Sequence, residues 1–208
     1  MVKEDEYEEK DLRTHIYENS DTYAGSDQKI KAALPKMDEG QKEIIIKETE
    51  YFPVIYKCFD EIIVNARDQR ERLKGREGAV PLTEIKVNID KGTGVISVYN
   101  NGDSIKVAKH SSGLYNPNLI FGRLLTSGNY KKDEKRIVGG KNGYGAKIVN
   151  IFSDSFDIEI GDRFTKKKYT QHFYDNMKGV DEPVIKKYNG KPYTKVTWRI
   201  DFISINTW

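Results

Sequence analysis

A chain of 208 residues and 24.0 kDa is long enough to close one domain around a sizeable core. Cys58 is the sole cysteine, and His15, His110 and His172 are scattered, which excludes a disulfide framework, a cysteine zinc site and an imidazole cluster; any metal is expected to be oxygen-bound. The net charge is only +3, but residues 1–104 carry 16 basic and 22 acidic side chains against 19 and 10 in residues 105–208, so the second half is the basic one.

The acidic start MVKEDEYEEKD is unlike a signal peptide, and no apolar run approaches the roughly 18 residues of a membrane span. A soluble intracellular protein is expected. The pattern then predicts a short helix near Leu12 to Glu18, an irregular stretch through DTYAGSDQ, and a strand within GQKEIIIKETE. From Phe52 to Leu73, the residues Phe52, Ile55, Phe59, Ile62, Ile63, Ala66 and Leu73 recur at helical spacing and predict a long helix with one apolar stripe. EIKVNID and GVISVYN alternate apolar and polar residues around KGTG, the pattern of paired strands. NPNLIFGRLL reads as helix, a lysine-rich loop leads to RIVGGKNGYGAKIVNIF, and FDIEI, KKKYTQHFYD and TKVTWRIDF read as three more strands. One mixed α/β domain is the simplest reading, with no repeat or clear linker. KKDEKR, RFTKKKY and IKKYNGK fit either solvated loops or a polyanion-facing surface, and charge alone does not imply DNA binding.

Three segments carry chemistry. In RIVGGKNGYGAKIVNIF, Gly139, Gly140, Gly143 and Gly145 let the backbone turn through positive φ and approach a ligand closely. A helix beginning near Gly145 would aim unpaired N–H groups and its positive dipole end at an anion, with Lys141 and Lys147 adding charge. An ordinary glycine-rich turn fits the same letters. A Walker A loop does not, because Ala146 and Lys147 follow Gly145 where Lys and then Ser or Thr are needed. A dinucleotide fingerprint fails as well, since Val149 and Asn150 stand where a third glycine is wanted.

On the long helix, Glu61, Asn65, Asp68 and Arg72 are spaced four, three and four apart and form one row roughly opposite the apolar stripe. A solvated face with an Asp–Arg pair explains such a row. Val54 and Cys58 lie on or near the side of Glu61, however, so that face is expected to be partly covered, and Asn65 is a poor mid-helix residue that wants a reason to be there. Glu can take a proton from an attacking water, and an Asn oxygen is a hard neutral ligand for magnesium. The third segment, VYNNGDSI, ends a strand with a polar residue able to bond the rim of a base, though Asn-Gly is also a common turn signal.

Taken in order, FDEIIVNARDQ, VYNNGDSI, LLTSGNY and GGKNGYGAKIVNIFSDSF resemble the N-terminal ATPase region of eukaryotic-type type II (type IIA) DNA topoisomerases, members of the GHKL superfamily. The likeness begins at NSDTYAGS, continues through KKYTQHFYDNM to YTKVTW, and covers nearly all of the chain from about residue 11. It implies an α+β fold, the GHKL (Bergerat-type) two-layer sandwich. A mixed, mostly antiparallel sheet carries helices on one face that enclose an ATP site. Residues 1–25 would form an arm that crosses to a partner subunit when ATP closes a homodimer, although a disordered tail fits the arm's composition too; residues 26–208 would form the ATP-binding domain.

The resemblance also implies roles. Glu61 would be the general base for attack of water on the γ-phosphate, Asn65 would bind Mg2+, and Asp68 would help line the ribose end. Asn100 would recognise the adenine amino group. Ser127 and Asn129 would contact sugar or phosphate, and Lys141, Asn142, Gly143, Tyr144, Gly145, Ala146 and Lys147 would wrap the triphosphate. The activity implied is ATP hydrolysis that drives dimerisation and strand passage in a type II topoisomerase acting on DNA, in the nucleus or another DNA-containing compartment. A nucleotide-gated dimerisation or partner-binding module with negligible turnover is the alternative. Ser104 stands where the family has a second glycine, Lys106 where it has proline, Arg67 where it has a small residue and Lys141 where Arg is common. In the family, a transducer domain with a lysine on the γ-phosphate, and a DNA-cleaving core, follow this domain. Neither is found in these 208 residues, so the chain by itself is expected not to cleave DNA, and its hydrolysis to be weak.

Overall fold

The computed structural model describes residues 10–40, 42–124 and 144–201. Helix α1 (Leu12–Glu18) starts where the Asp11 carboxylate accepts from the backbone N–H of Arg13 and Thr14, a side-chain cap for otherwise orphan donors. A short α2 (Ser20–Tyr23) follows within DTYAGSDQ. Both lie in the segment 1–25, and Ile16 and Ala24 from it are part of the common core.

Strands β1 (Ile30–Met37) and β2 (Ile44–Tyr51) form a separate antiparallel hairpin, of which only the second strand was expected. Pro35 sits inside β1 opposite Ile46, a position that a two-stranded ribbon tolerates because one side of each strand has no partner. Helix α3 (Pro53–Leu73) then runs for 21 residues with proline at its first turn, as the periodicity predicts.

The main sheet holds β3 (Ile85–Ile89), β4 (Val95–Asn101), β5 (Ser153–Asp162), β6 (Lys167–Tyr174), β7 (Gly179–Val180), β8 (Val184–Lys187) and β9 (Tyr193–Ile200). Its order is β3-β4-β9-β5-β6-β7, with β8 also on β6, and every described ladder is antiparallel. Period two sorts the faces. Phe156, Ile158 and Ile160 of β5 stand beside Trp198, Val196 and Thr194 of β9 and Phe173, Gln171 and Tyr169 of β6, and the apolar members of that row are buried. The opposite row, with Asp157, Glu159, His172 and Lys195, is only half-buried.

Against the buried face pack α3, α4 (Asn116–Gly122) and α5 (Gly145–Ile151), giving two layers with the core between them. The seven residues of α5 are placed by long-range bonds. Asn150 donates to the Phe121 carbonyl at 3.0 Å, and Asn176 donates to the Ile151 carbonyl at 3.1 Å, satisfying a carbonyl at the helix end. Asn176 lies in a turn where Asp175, Asn176 and Met177 all have positive φ, and that strained turn also accepts from Arg13 of α1.

Candidate active site

The inward face of α3 includes Ile62, Ala66 and Leu73 of the predicted stripe but is not centred on it. Val54 and Cys58 are fully buried and Ile62 and Ala66 nearly so, whereas Phe52, Ile55, Phe59 and Ile63 only pack against the core from its margin. The buried direction is therefore rotated towards the polar row, because α5 and the sheet both press on that side of the helix. Within the row, Asp68 is buried at 2% exposure, Glu61 is half-buried, and Asn65 and Arg72 are exposed. About 100° per residue sets Asn65 between the directions of Val54 and Cys58, both fully covered. A polar side chain that faces inward and still meets solvent marks an opening between α3 and its neighbours.

Glu61 stands at one end of that opening. Its carboxylate accepts from the Lys57 ammonium at 2.6 Å, one helical turn back, and that contact raises the Lys57 pKa. The same carboxylate lies against Gly145, the first residue of α5, so closely that a Cβ there would collide with it. Tyr144 precedes α5 without a side-chain cap, and a negative group at a helix start is favoured by the dipole. Ala146 and Lys147 continue α5 and are buried, Lys147 to 1% exposure. Burial lowers the Lys147 ammonium to about 8. Cys58 is enclosed as well, and burial pushes its thiol up, so it is an inert core residue.

The other end lies where α3 passes β4. Asp68 holds the Arg67 guanidinium at 3.4 Å, and the Arg67 side chain otherwise points outward, away from the opening. Asn100, on the buried face of β4 in line with Ile96 and Val98, is 6% exposed and donates to the Asn101 carbonyl at 3.1 Å. Gly102 follows with φ +91°, and a Cβ there would lie 2.9 Å from the Leu82 backbone, so glycine is required by the protein's own packing. Ser104 donates to the Gly161 carbonyl at 2.8 Å and Lys106 lies 5.2 Å from the Phe164 ring centroid. Both departures from the family pattern thus lean on the end of β5 and the turn that follows it.

The structure brings Glu61, Asn65, Asp68, Asn100, Gly145, Ala146 and Lys147 into the layer between α3, α5 and β4, with Tyr144 at the start of α5. Ser127, Asn129, Lys141, Asn142 and Gly143 lie outside the described residues, as do Gly139 and Gly140. Sequence reasoning missed Lys57, which its i,i+4 spacing from Glu61 signals, and Asp103 with Arg163, a pair 60 residues apart that no local pattern signals. A shallow hollow on the far face of the sheet, lined by Asp157, Glu159, His172, Asp181, Glu182 and Lys195, is remote from this layer.

An antiparallel sheet covered on one face by helices, with a Glu- and Asn-bearing helix running from the sheet to a glycine-started helix, is the GHKL, or Bergerat-type, arrangement. No family model matches the chain. DNA topoisomerase 2 of Acanthamoeba polyphaga mimivirus is 44% identical over 204 residues, 96% of this chain and 16% of the relative. Human DNA topoisomerase 2-alpha is 41% identical over 196 residues, 94% of this chain and 12% of the relative. The crystal structure of the ATPase region of Saccharomyces cerevisiae topoisomerase II matches with a TM-score of 0.91 at 38% identity, covering 98% of this chain and 53% of that one. The ATPase and transducer domains of Balamuthia mandrillaris DNA topoisomerase II give a TM-score of 0.92 at 36% identity, covering 100% and 53%. In sequence and fold the chain belongs with the ATPase regions of type II DNA topoisomerases, and it spans about a sixth or less of the curated relatives named here. Among the described residues no helix is long and apolar enough to cross a membrane.

Proposed function

We propose that this chain binds Mg·ATP between α3, α5 and β4 and hydrolyses it, as the ATPase portion of a type II topoisomerase that acts on DNA in the nucleus or another DNA-containing compartment. One observation carries the reading: the Glu61 carboxylate rests against the glycine that starts α5, one turn before an inward-facing, solvent-reached Asn65. In this reading Asn100 bonds the adenine amino group and Asp68 lines the ribose end. Backbone N–H groups at the start of α5, the Lys147 charge, and Lys141, Asn142 and Gly143 hold the triphosphate, with Ser127 and Asn129 on sugar or phosphate.

Glu61 accepts the proton of a water as its oxygen bonds the γ-phosphorus, and the bond to the ADP oxygen breaks. Lys57 keeps Glu61 aimed through their ion pair, while the site's fixed donors match the charge that spreads over the phosphoryl oxygens. Asn65 suits magnesium: one neutral oxygen from the protein leaves room for phosphate and water ligands, which that ion prefers. Magnesium would supply charge neutralisation on the phosphates. An arm within the segment 1–25, whose α1 and α2 stay packed on the core through Ile16 and Ala24, reaches a second copy once nucleotide is bound, coupling ATP to homodimerisation and, in the whole enzyme, to strand passage.

Equilibrium titration with a non-hydrolysable ATP analogue tests this, with light scattering to follow mass. Binding that needs Mg2+, weakens at least about tenfold in Asn65→Ala, and doubles the mass is expected. Absence of Mg2+-dependent binding to the native chain overturns the reading.

A further inference from the structure

Among the described residues, a dense polar cluster outside the hydrolytic groups sits just past Asn100. Asp103 is buried at 5% exposure, and its carboxylate takes both Nε and Nη2 of Arg163, the latter at 2.8 Å. The same carboxylate accepts from the Val80 N–H at 3.1 Å, and the Asp103 N–H donates back to the Val80 carbonyl at 3.0 Å. Gln69, next to Asp68 on α3, donates to the Asp103 carbonyl at 2.7 Å. Arg163 Nη2 also reaches the Gly78 carbonyl at 2.6 Å. One ion pair thus joins four segments: α3, the 78–82 connection, the end of β4, and the β5–β6 turn.

That turn and the end of β5 grip the chain beyond β4 at three more points. Ser104 bonds the Gly161 carbonyl, the buried Asp162 accepts from the Val107 N–H at 2.8 Å, and Phe164 lies under both Lys106 and Arg163. On the other flank, Asn101 Oδ1 accepts from the N–H groups of Thr83 and Glu84, both at 2.9 Å. Asn100 has little freedom left, since the backbone on its C-terminal side is fixed from two directions. A fork-to-carboxylate pair adds geometry as well as attraction.

We infer that Asp103 and Arg163 are positioning residues for nucleobase recognition, acting through the backbone that carries Asn100, with the β5–β6 turn as the outer support of the adenine end. This rests on the reading of Asn100 as the adenine contact. In this reading neither residue contacts the base or the phosphates. Their loss therefore loosens discrimination at the base while leaving the grip on phosphate intact. Ser104 and Lys106, where the family has glycine and proline, tie the same backbone to the same turn.

The test is calorimetric titration of the native chain and of Arg163→Ala, Arg163→Lys and Ser104→Gly with ADP, IDP and inorganic tripolyphosphate. IDP replaces the adenine amino group with an oxygen, so the ratio of ADP to IDP affinity reads base recognition alone. A site built to hydrogen-bond that amine should give the native chain a ratio of about tenfold or more. Arg163→Ala should cut the ratio at least about fivefold and Ser104→Gly about twofold, with tripolyphosphate affinity changed less than about twofold. Equal loss for all three ligands, or an unchanged ratio in the variants, overturns the inference while leaving the ATP site standing. A native ratio near one overturns the reading of Asn100 and the inference with it. Where Arg163→Ala fails to fold, Arg163→Lys and Ser104→Gly decide the question by the same ratio.

Discussion

At its hydrolytic end the site hangs on contacts within and beside one helix, whereas at its base end it hangs on contacts between segments far apart in the chain. Glu61 is held by Lys57, four residues back, in a pair whose lysine stays 40% exposed. Asp103 is held by residues 69, 80 and 163, and its side chain is 6% exposed. A solvated i,i+4 pair contributes little to stability and yields to a ligand, as a general base that must reorganise around water and phosphate requires. A covered, bidentate pair is rigid and sets the shape of the pocket before a ligand arrives.

The largest effect should come from the base itself. Glu61→Gln should retain nucleotide but lose turnover by about 100-fold or more, measured as phosphate release. A loss below about tenfold would remove Glu61 from that role. Gly145→Ala, which drives a methyl group into the Glu61 carboxylate, should lower turnover by about tenfold with little change in melting temperature, since alanine favours helix. That result would show that the approach of α5 to Glu61 matters for rate and not for folding.

The two ends should separate in stability. Arg163→Ala leaves a covered carboxylate short of its main partner and should cost about 1–3 kcal/mol in urea denaturation. Lys147 offers a pH test of the phosphate side. Its folded pKa is lowered to about 8, so between pH 8 and its ordinary value near 10.5 the unfolded chain binds more protons than the native one. Stability should therefore rise with pH from 8 to 9.5, by at most about 1.4 kcal/mol per unit, and Lys147→Met should abolish that rise. The smallest effect belongs to Lys57→Ala, below about 0.5 kcal/mol in stability. If Lys57→Ala proved as costly as Arg163→Ala, the contrast between the two ends would fail.

Much of this architecture is legible in local pattern. The span of α3, the β3–β4 hairpin around KGTG and the strands β5, β6 and β9 follow from period and turn residues, because each is long enough to express its own rhythm. β1 is not legible, since Ala32, Ala33 and Pro35 suppress the strand signal and the hairpin stays largely exposed. The row of Glu61, Asn65 and Asp68 is visible at its spacing, but its orientation is not. Two packing partners, α5 and the sheet, pull Val54 and Cys58 to the centre of the buried face, and neither is near α3 in sequence. Asn100 is visible as a polar strand end. The Asp103–Arg163 pair is hidden, because a charge in a turn looks the same whether its partner is water or an arginine 60 residues on.

A crystal structure of the chain with Mg2+ and a non-hydrolysable ATP analogue would show where the nucleotide sits and what reaches its γ-phosphate. One nucleotide is expected between α3, α5 and β4, with its adenine amino group on Asn100, Asn65 bound to magnesium, and Glu61 within hydrogen-bonding reach of a water in line with the γ-phosphate. A nucleotide seated elsewhere, or one whose γ-phosphate lies beyond the reach of Glu61 through a single water, would contradict the proposed function.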